Sequence, residues 1–136
     1  MLKTILWFGA ATALVISAPL SAHEPAKPDD AQIAHVAYTA GQIDVDAGKQ
    51  ALARSHNPAV RSFAEAMVRD HAAVNDKALA LVKRLGVTPQ ANATSSALSA
   101  QAAQKHAELA RLDGAAFDRA YVANEVAYHR TVNGAL

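Results

Sequence analysis

The chain has 136 residues, no cysteine, six histidines, and 13 Lys and Arg against 12 Asp and Glu. This length fits one domain, and the lack of cysteine excludes disulfides and thiolate metal sites within the chain. The near-neutral charge gives no electrostatic pattern for nucleic acid or an anionic membrane, so neither is expected as a partner.

The N-terminus has the pattern of a secretory signal peptide. Lys3 supplies a positive charge, residues 4–16 are largely apolar, and Pro19 with small residues follows up to Ala22. The apolar run is shorter than the about 20 residues that a membrane span needs. The alternative to a cleaved signal peptide is an uncleaved membrane anchor. We therefore predict a signal peptide over residues 1–22 and a periplasmic or secreted protein without a membrane span after cleavage.

The mature chain is predicted to begin with a flexible leader, residues 23–29, followed by a helical domain over residues 30–136. The first helix starts at a cap supplied by Asp29 or Asp30 and runs to about Ser55. Small and apolar residues recur in it at alternating spacings of four and three, which indicates a helix-packing face.

The second helix has the clearest boundaries. Asn57 is a good N-cap, Pro58 suits the first helical position, and Gly86 is typical of the position just after a helix. The predicted helix therefore extends from Pro58 to Leu85. One packing seam steps through it by four and three: Val60, Ala64, Met67, His71, Val74, Ala78, Leu81 and Leu85.

Two further helices complete the chain. An alanine- and glutamine-rich helix is expected from about Ser96 to Leu112, and the last helix starts near Ala115. No segment alternates with period two, so no strand is predicted. Because long helices joined by short turns pack antiparallel, the sequence predicts an all-α antiparallel helical bundle.

Three sequence blocks carry a family resemblance. They are GQIDVDAGK at Gly41–Lys49, FAEAMVRDH at Phe63–His71, and FDRAY at Phe117–Tyr121 ahead of His129. Together they make the chain similar to the bacterial domain of unknown function 4142 family. The resemblance implies an exported protein with a ferritin-like helical bundle.

The chain departs from that family pattern in two ways. Family members usually carry Glu where this chain has Asp44 and Asp46, which changes side-chain length but not charge. They also continue past the block containing His129 into one more helix, whereas this chain stops at Leu136. The sequence is therefore also compatible with a ferritin-like bundle that is incomplete at its C-terminal end.

Four side chains form a candidate metal site. Ferritin-like bundles hold metal ions with Asp, Glu and His that project into the core from several helices. By this analogy the candidate ligands, for Zn, Fe or Mn, are Asp44, His71, Glu125 and His129. The Glu-x-x-His pairs of di-iron bundle proteins do not occur in the sequence, which disfavours a di-iron enzyme.

Each candidate ligand also has a purely structural interpretation. His71 would be a buried histidine bonded to a carboxylate or a carbonyl, and Asp44 would face solvent because Ile43 competes for the inward position. Glu125 and His129, one helical turn apart, would form a partly solvated pair. On these interpretations no metal or other cofactor binds.

The sequence contains no phosphate loop, zinc-protease motif or nucleophile elbow. It therefore favours a non-enzymatic exported bundle that acts in envelope stress adaptation or protein association. The partner would be an unknown protein or a second copy of the chain. The alternative is a ferritin-like metal-binding protein that uses the four candidate ligands.

Overall fold

Four helices account for most of residues 27–135, the part of the chain that the computed structural model describes. They are α1 (Asp30–Arg54), α2 (Pro58–Arg84), α3 (Ala93–Leu109) and α4 (Gly114–Ala135), and no strand occurs in that range. The prediction of an all-α helical bundle is confirmed. The predicted signal peptide and residues 23–26 of the predicted leader lie outside the described residues.

Local capping interactions explain the ends of α1 and α2. The Asp29 side chain accepts a hydrogen bond from the Gln32 N–H (2.8 Å), and the Gln32 side chain accepts one from the Asp29 N–H. The Asn57 side chain accepts from the Ala59 N–H (2.9 Å) and so caps α2. After α2, Gly86 has φ +67°, a left-handed conformation that glycine adopts without strain.

Helix α3 starts three residues before its predicted beginning. The Asn92 side chain accepts from the Ser95 N–H (2.9 Å), while the Ser95 hydroxyl accepts from the Asn92 N–H (3.0 Å). This reciprocal cap begins the helix at Ala93. The helix also ends early, at Leu109, and the Arg54 guanidinium binds the next free carbonyl, that of Ala110, at 2.7 Å.

Successive helices run antiparallel, and α1 contacts each of the other three. Gln50 on α1 donates to the His106 carbonyl near the end of α3, so these two helices run in the same direction. The Tyr128 hydroxyl on α4 donates to the Ala40 carbonyl on α1 (3.0 Å), which places the late part of α4 beside the early part of α1. The topology is therefore up-down-up-down, with α1 as the central helix.

The main apolar core lies near the α1–α2 turn, where α1 and α2 meet the end of α3 and the first part of α4. Phe117 and Tyr121 are fully buried and stacked, with ring centroids 6.1 Å apart. Phe63 packs against Tyr121 at the same centroid distance. The buried members of this core are Ala51, Val60, Ala64, Leu109, Phe117 and Tyr121.

The seam predicted on α2 is correct only for its first half. Val60 and Ala64 are buried against α1, but Val74 and Leu85 are 60% and 66% exposed. The reason is that α3 packs on α1 and α4 and leaves this flank of α2 uncovered among the described residues. Within residues 27–135, no helix is both long and apolar enough to cross a bilayer.

Helices α1 and α2 approach each other closely at glycine. A Cβ atom on Gly48 would lie 2.8 Å from Val68 Cγ2 and 3.0 Å from the Ala64 carbonyl oxygen, which belongs to the α2 backbone. We expect Gly48→Ala to lower the free energy of unfolding by about 1–3 kcal/mol, since the helices must move apart. Urea denaturation measures this change.

The matched control is Gly134→Ala on α4, where an added Cβ meets no atom within 4 Å. Alanine has the higher helix propensity, so this variant should be unchanged or more stable by up to about 1 kcal/mol. Equal stability of the two variants would show that α1 and α2 are not in contact at Gly48.

Candidate metal centre

Three helices bring a carboxylate and two imidazoles together. Asp44 Oδ2 on α1 lies 3.4 Å from His71 Nδ1 on α2 and 3.9 Å from His129 Nε2 on α4. The two imidazole rings meet edge to face, with centroids 5.9 Å apart. One potential ligand atom from each residue lies within 4.8 Å of the others.

The two glycines of α1 explain how Asp44 reaches this position. Gly41 and Gly48 lie three residues before and four residues after Asp44, so all three share one helix face. Without side chains at the glycines, α2 lies directly over that face, and Asp44 is only 3% exposed. The alternative in which Asp44 faces solvent is therefore wrong.

The hydrogen bonding of His129 determines which ring nitrogen is free. Its Nδ1 lies 2.8 Å from the Glu125 carbonyl oxygen, which can only accept, so Nδ1 carries the proton. In the neutral ring, Nε2 then presents its lone pair toward Asp44 Oδ2. Two electron-rich atoms this close together favour a cation between them, either a proton or a metal ion.

The spacing of the donor atoms is close to that of a zinc site. With metal–ligand distances of about 2.0–2.2 Å, the ligand atoms of a tetrahedral ion are about 3.3–3.6 Å apart. The Asp44–His71 distance of 3.4 Å lies inside that range, and the Asp44–His129 distance of 3.9 Å slightly exceeds it. The ligand atoms of His71 and His129 lie within 4.8 Å of each other, so the histidines would have to move closer to bind one tetrahedral ion.

Glu125, the fourth predicted residue, lies beside this group on α4. It is 2% exposed, and neither carboxylate oxygen has a hydrogen-bond partner among the described residues. The second oxygen of Asp44, Oδ1, is also unpaired. Because buried polar atoms are nearly always hydrogen-bonded, these three neighbouring oxygens require a shared proton, a water molecule or a cation among them. The alternative of a solvated Glu125–His129 pair is wrong for Glu125.

The electrostatics of the two carboxylates agree with this description. Burial and, to a smaller extent, the neighbouring Asp44 charge together raise the pKa of Glu125 to about 7. Burial also raises the pKa of Asp44, although His71 and His129 oppose that effect. Both groups therefore resist becoming negative together unless positive charge is supplied.

Two tyrosines border the site, and neither was among the four candidate ligands named from the sequence. Tyr121 is fully buried, its hydroxyl has no partner among the described residues, and burial raises its pKa well above the ordinary value. Tyr128, whose hydroxyl binds the Ala40 carbonyl, has a raised pKa for the same reason. The sequence signal that could have placed Tyr121 beside the site is its spacing, since it precedes Glu125 by one helical turn.

The remaining described histidines lie away from the cluster. His35 interacts with Thr39 on the same helix, at 3.3 Å, while His56 and His106 are exposed. The exposed Arg69–Asp70 pair, 2.8 Å apart, is not part of the cluster.

Fold and site together define a class of protein: an all-α bundle with an Asp–His cluster held between three helices. The chain belongs to the family described as Domain of unknown function (DUF4142), whose family model matches residues 16–136. The resemblance carried by the three sequence blocks is thereby confirmed. No curated protein and no solved structure matches the chain.

Proposed function

We propose that this protein binds a divalent transition-metal ion through Asp44, His71 and His129. The observation that supports this most is the convergence of one carboxylate oxygen and two imidazole nitrogens, from three helices, within 4.8 Å. Zinc suits this mixed set of imidazole and carboxylate ligands best, with Fe and Mn as the competing ions.

Glu125 is the remaining candidate for a fourth position, because its two unpaired oxygens lie beside Asp44. Water fills that position otherwise. The imidazoles of His71 and His129 are 29% and 38% exposed, so one side of the site is open to solvent. An open side favours exchangeable metal binding over a closed structural site.

A zinc titration with a ligand variant tests this function. The protein, purified without an affinity tag and stripped with a chelator, should take up one zinc ion per chain in isothermal titration calorimetry. We expect His71→Ala to weaken binding at least about 100-fold, because it removes a direct ligand.

His56→Ala is the matched control, since His56 is exposed in the α1–α2 turn and lies outside the cluster. It should bind zinc like the natural protein. Equal zinc affinity for His71→Ala and the natural protein would contradict the proposed site.

Protein association in the bacterial envelope, including a non-enzymatic role in stress adaptation, is a second candidate function. It is supported by the exposed apolar residues of α2, such as Val74 and Leu85. The signal-peptide pattern over residues 1–22 supports the periplasmic or secreted location that this role requires.

A further inference from the structure

One side of the bundle, formed by α2 and α4, exposes several apolar side chains. The two helices meet through the Phe63–Tyr121 and His71–His129 ring pairs, which fixes their relative position. Along this side, six apolar side chains are 40–66% exposed. We call it the α2/α4 face; its apolar members are Phe63, Val74, Leu81, Leu85, Val122 and Val126.

Basic residues alternate with the apolar ones on α2. Val74, Lys77, Leu81 and Arg84 follow one another at spacings of three, four and three, so they occupy one helix face. All four are exposed.

Helix α4 carries a similar stripe with a different order. Arg119, Val122, Val126 and Arg130 follow at spacings of three, four and four, and all of them are exposed. Apolar and basic residues therefore alternate on α2, whereas on α4 two valines lie between two arginines.

The positive charge of this face is not neutralised within the described residues. No ion pair there involves Lys77, Arg84, Arg119 or Arg130. The nearby acidic residues are already engaged, since Asp70 pairs with Arg69 and Asp118 accepts from the Ser55 hydroxyl. Four cations thus surround an apolar strip in a chain whose overall charge is close to neutral.

We propose that the α2/α4 face binds an acidic amphipathic helix of a partner protein. Such a helix would place its apolar stripe along the strip and its Asp or Glu side chains against the four cations. This inference rests on the association function proposed above and is independent of the metal site.

The charge pattern selects this partner over a second copy of the chain. Two copies joined through this face would bring the four basic residues of one against those of the other, which is unfavourable. The shape of the face selects a helix over a lipid surface. The apolar residues of α2 form an elongated strip, which from Phe63 to Leu85 is about 33 Å long, the length of a helix of about 20 residues, and the first part of this strip is flanked by α4.

Binding of designed peptides to the full chain tests this inference. The probe is a fluorescent 20-residue peptide with leucine at positions i, i+3, i+4 and i+7, glutamate beside the leucines, and alanine elsewhere. We expect the glutamate peptide to bind and its binding to weaken as salt is added, whereas a peptide with lysine in place of glutamate should not bind.

Charge reversal on α2 locates the binding surface. Lys77→Glu/Arg84→Glu should weaken peptide binding at least about tenfold, since two of the four cations become anions. Lys83→Glu is the matched control, because Lys83 also lies in the last turn of α2 but about 100° around the helix from Arg84. This control should bind like the natural protein.

Several results would overturn the inference. One is a failure of the glutamate peptide to bind up to about 1 mM, and another is equally tight binding of the lysine peptide. A third is a Lys77→Glu/Arg84→Glu variant that binds the glutamate peptide as tightly as the natural protein does. Binding to phosphatidylglycerol vesicles without peptide binding would identify a lipid surface in place of a protein. Self-association in sedimentation without peptide binding would also reject the acidic partner, but it would leave the association function standing.

Discussion

Asp44→Asn should abolish the stabilisation that the proposed metal site predicts for zinc. For the natural chain, zinc at 100 times its dissociation constant should raise the free energy of unfolding by about 2.7 kcal/mol, because only the folded bundle assembles the site. Asp44 is the residue that approaches both histidines, and asparagine keeps its shape while removing the charge that holds the cation. Thermal unfolding with and without zinc measures the difference.

Asp46→Asn provides the control for this experiment. Asp46 lies two residues further along α1, is exposed, and accepts a hydrogen bond only from the Gln42 side chain (3.0 Å). Its variant should keep the full zinc effect. A full zinc effect in Asp44→Asn would mean that the ion binds elsewhere in the chain.

Glu125 should make the metal-free protein less stable as the pH rises. Its pKa in the folded state is about 7, above the ordinary 4.5, so the unfolded chain loses this proton at lower pH. Stability is therefore fully present below about pH 4.5 and falls as the pH rises through 7, by about 3 kcal/mol in total. The raised pKa of Asp44 acts in the same direction.

Urea denaturation at several pH values, with a chelator present, tests this effect. Glu125→Gln removes the ionisable group, so its stability should change much less over that range and exceed that of the natural protein at pH 8. Glu65→Gln on the exposed side of α2 should follow the natural protein. The prediction fails if Glu125→Gln and the natural protein show the same pH dependence.

The sequence predicted most helix boundaries because the residues at the ends act locally. Asn57, Pro58 and Gly86 act through hydrogen bonds and backbone angles within a few residues, so their effect can be read without tertiary structure. The start of α3 was missed because the reciprocal Asn92–Ser95 cap uses serine where glutamate or glutamine is the usual signal.

Tertiary contacts were predicted less well than helix ends. A spacing of four and three on α2 identifies a helix face, but it does not show which neighbour covers that face. The seam was therefore assigned correctly at Val60 and wrongly at Val74 and Leu85.

Three of the four candidate ligands named from the sequence, Asp44, His71 and His129, lie together in the structure. Their geometry could not be predicted from the sequence, and metal binding by them stays a prediction. The burial of Asp44 depends on how closely α1 and α2 approach, which Gly41 and Gly48 determine. A glycine on each side of an acidic residue, at helical spacing, was the overlooked signal.

The up-down-up-down arrangement also divides the bundle unequally. Asp44, His71 and His129 belong to α1, α2 and α4, so a bound ion would cross-link three helices, whereas the Asp44–His71–His129 cluster includes no residue of α3. Local opening of α3 leaves that cross-link intact, while opening of any other helix breaks it. A bound ion would thus separate the protein into a slowly exchanging unit of three helices and a fourth helix that opens on its own.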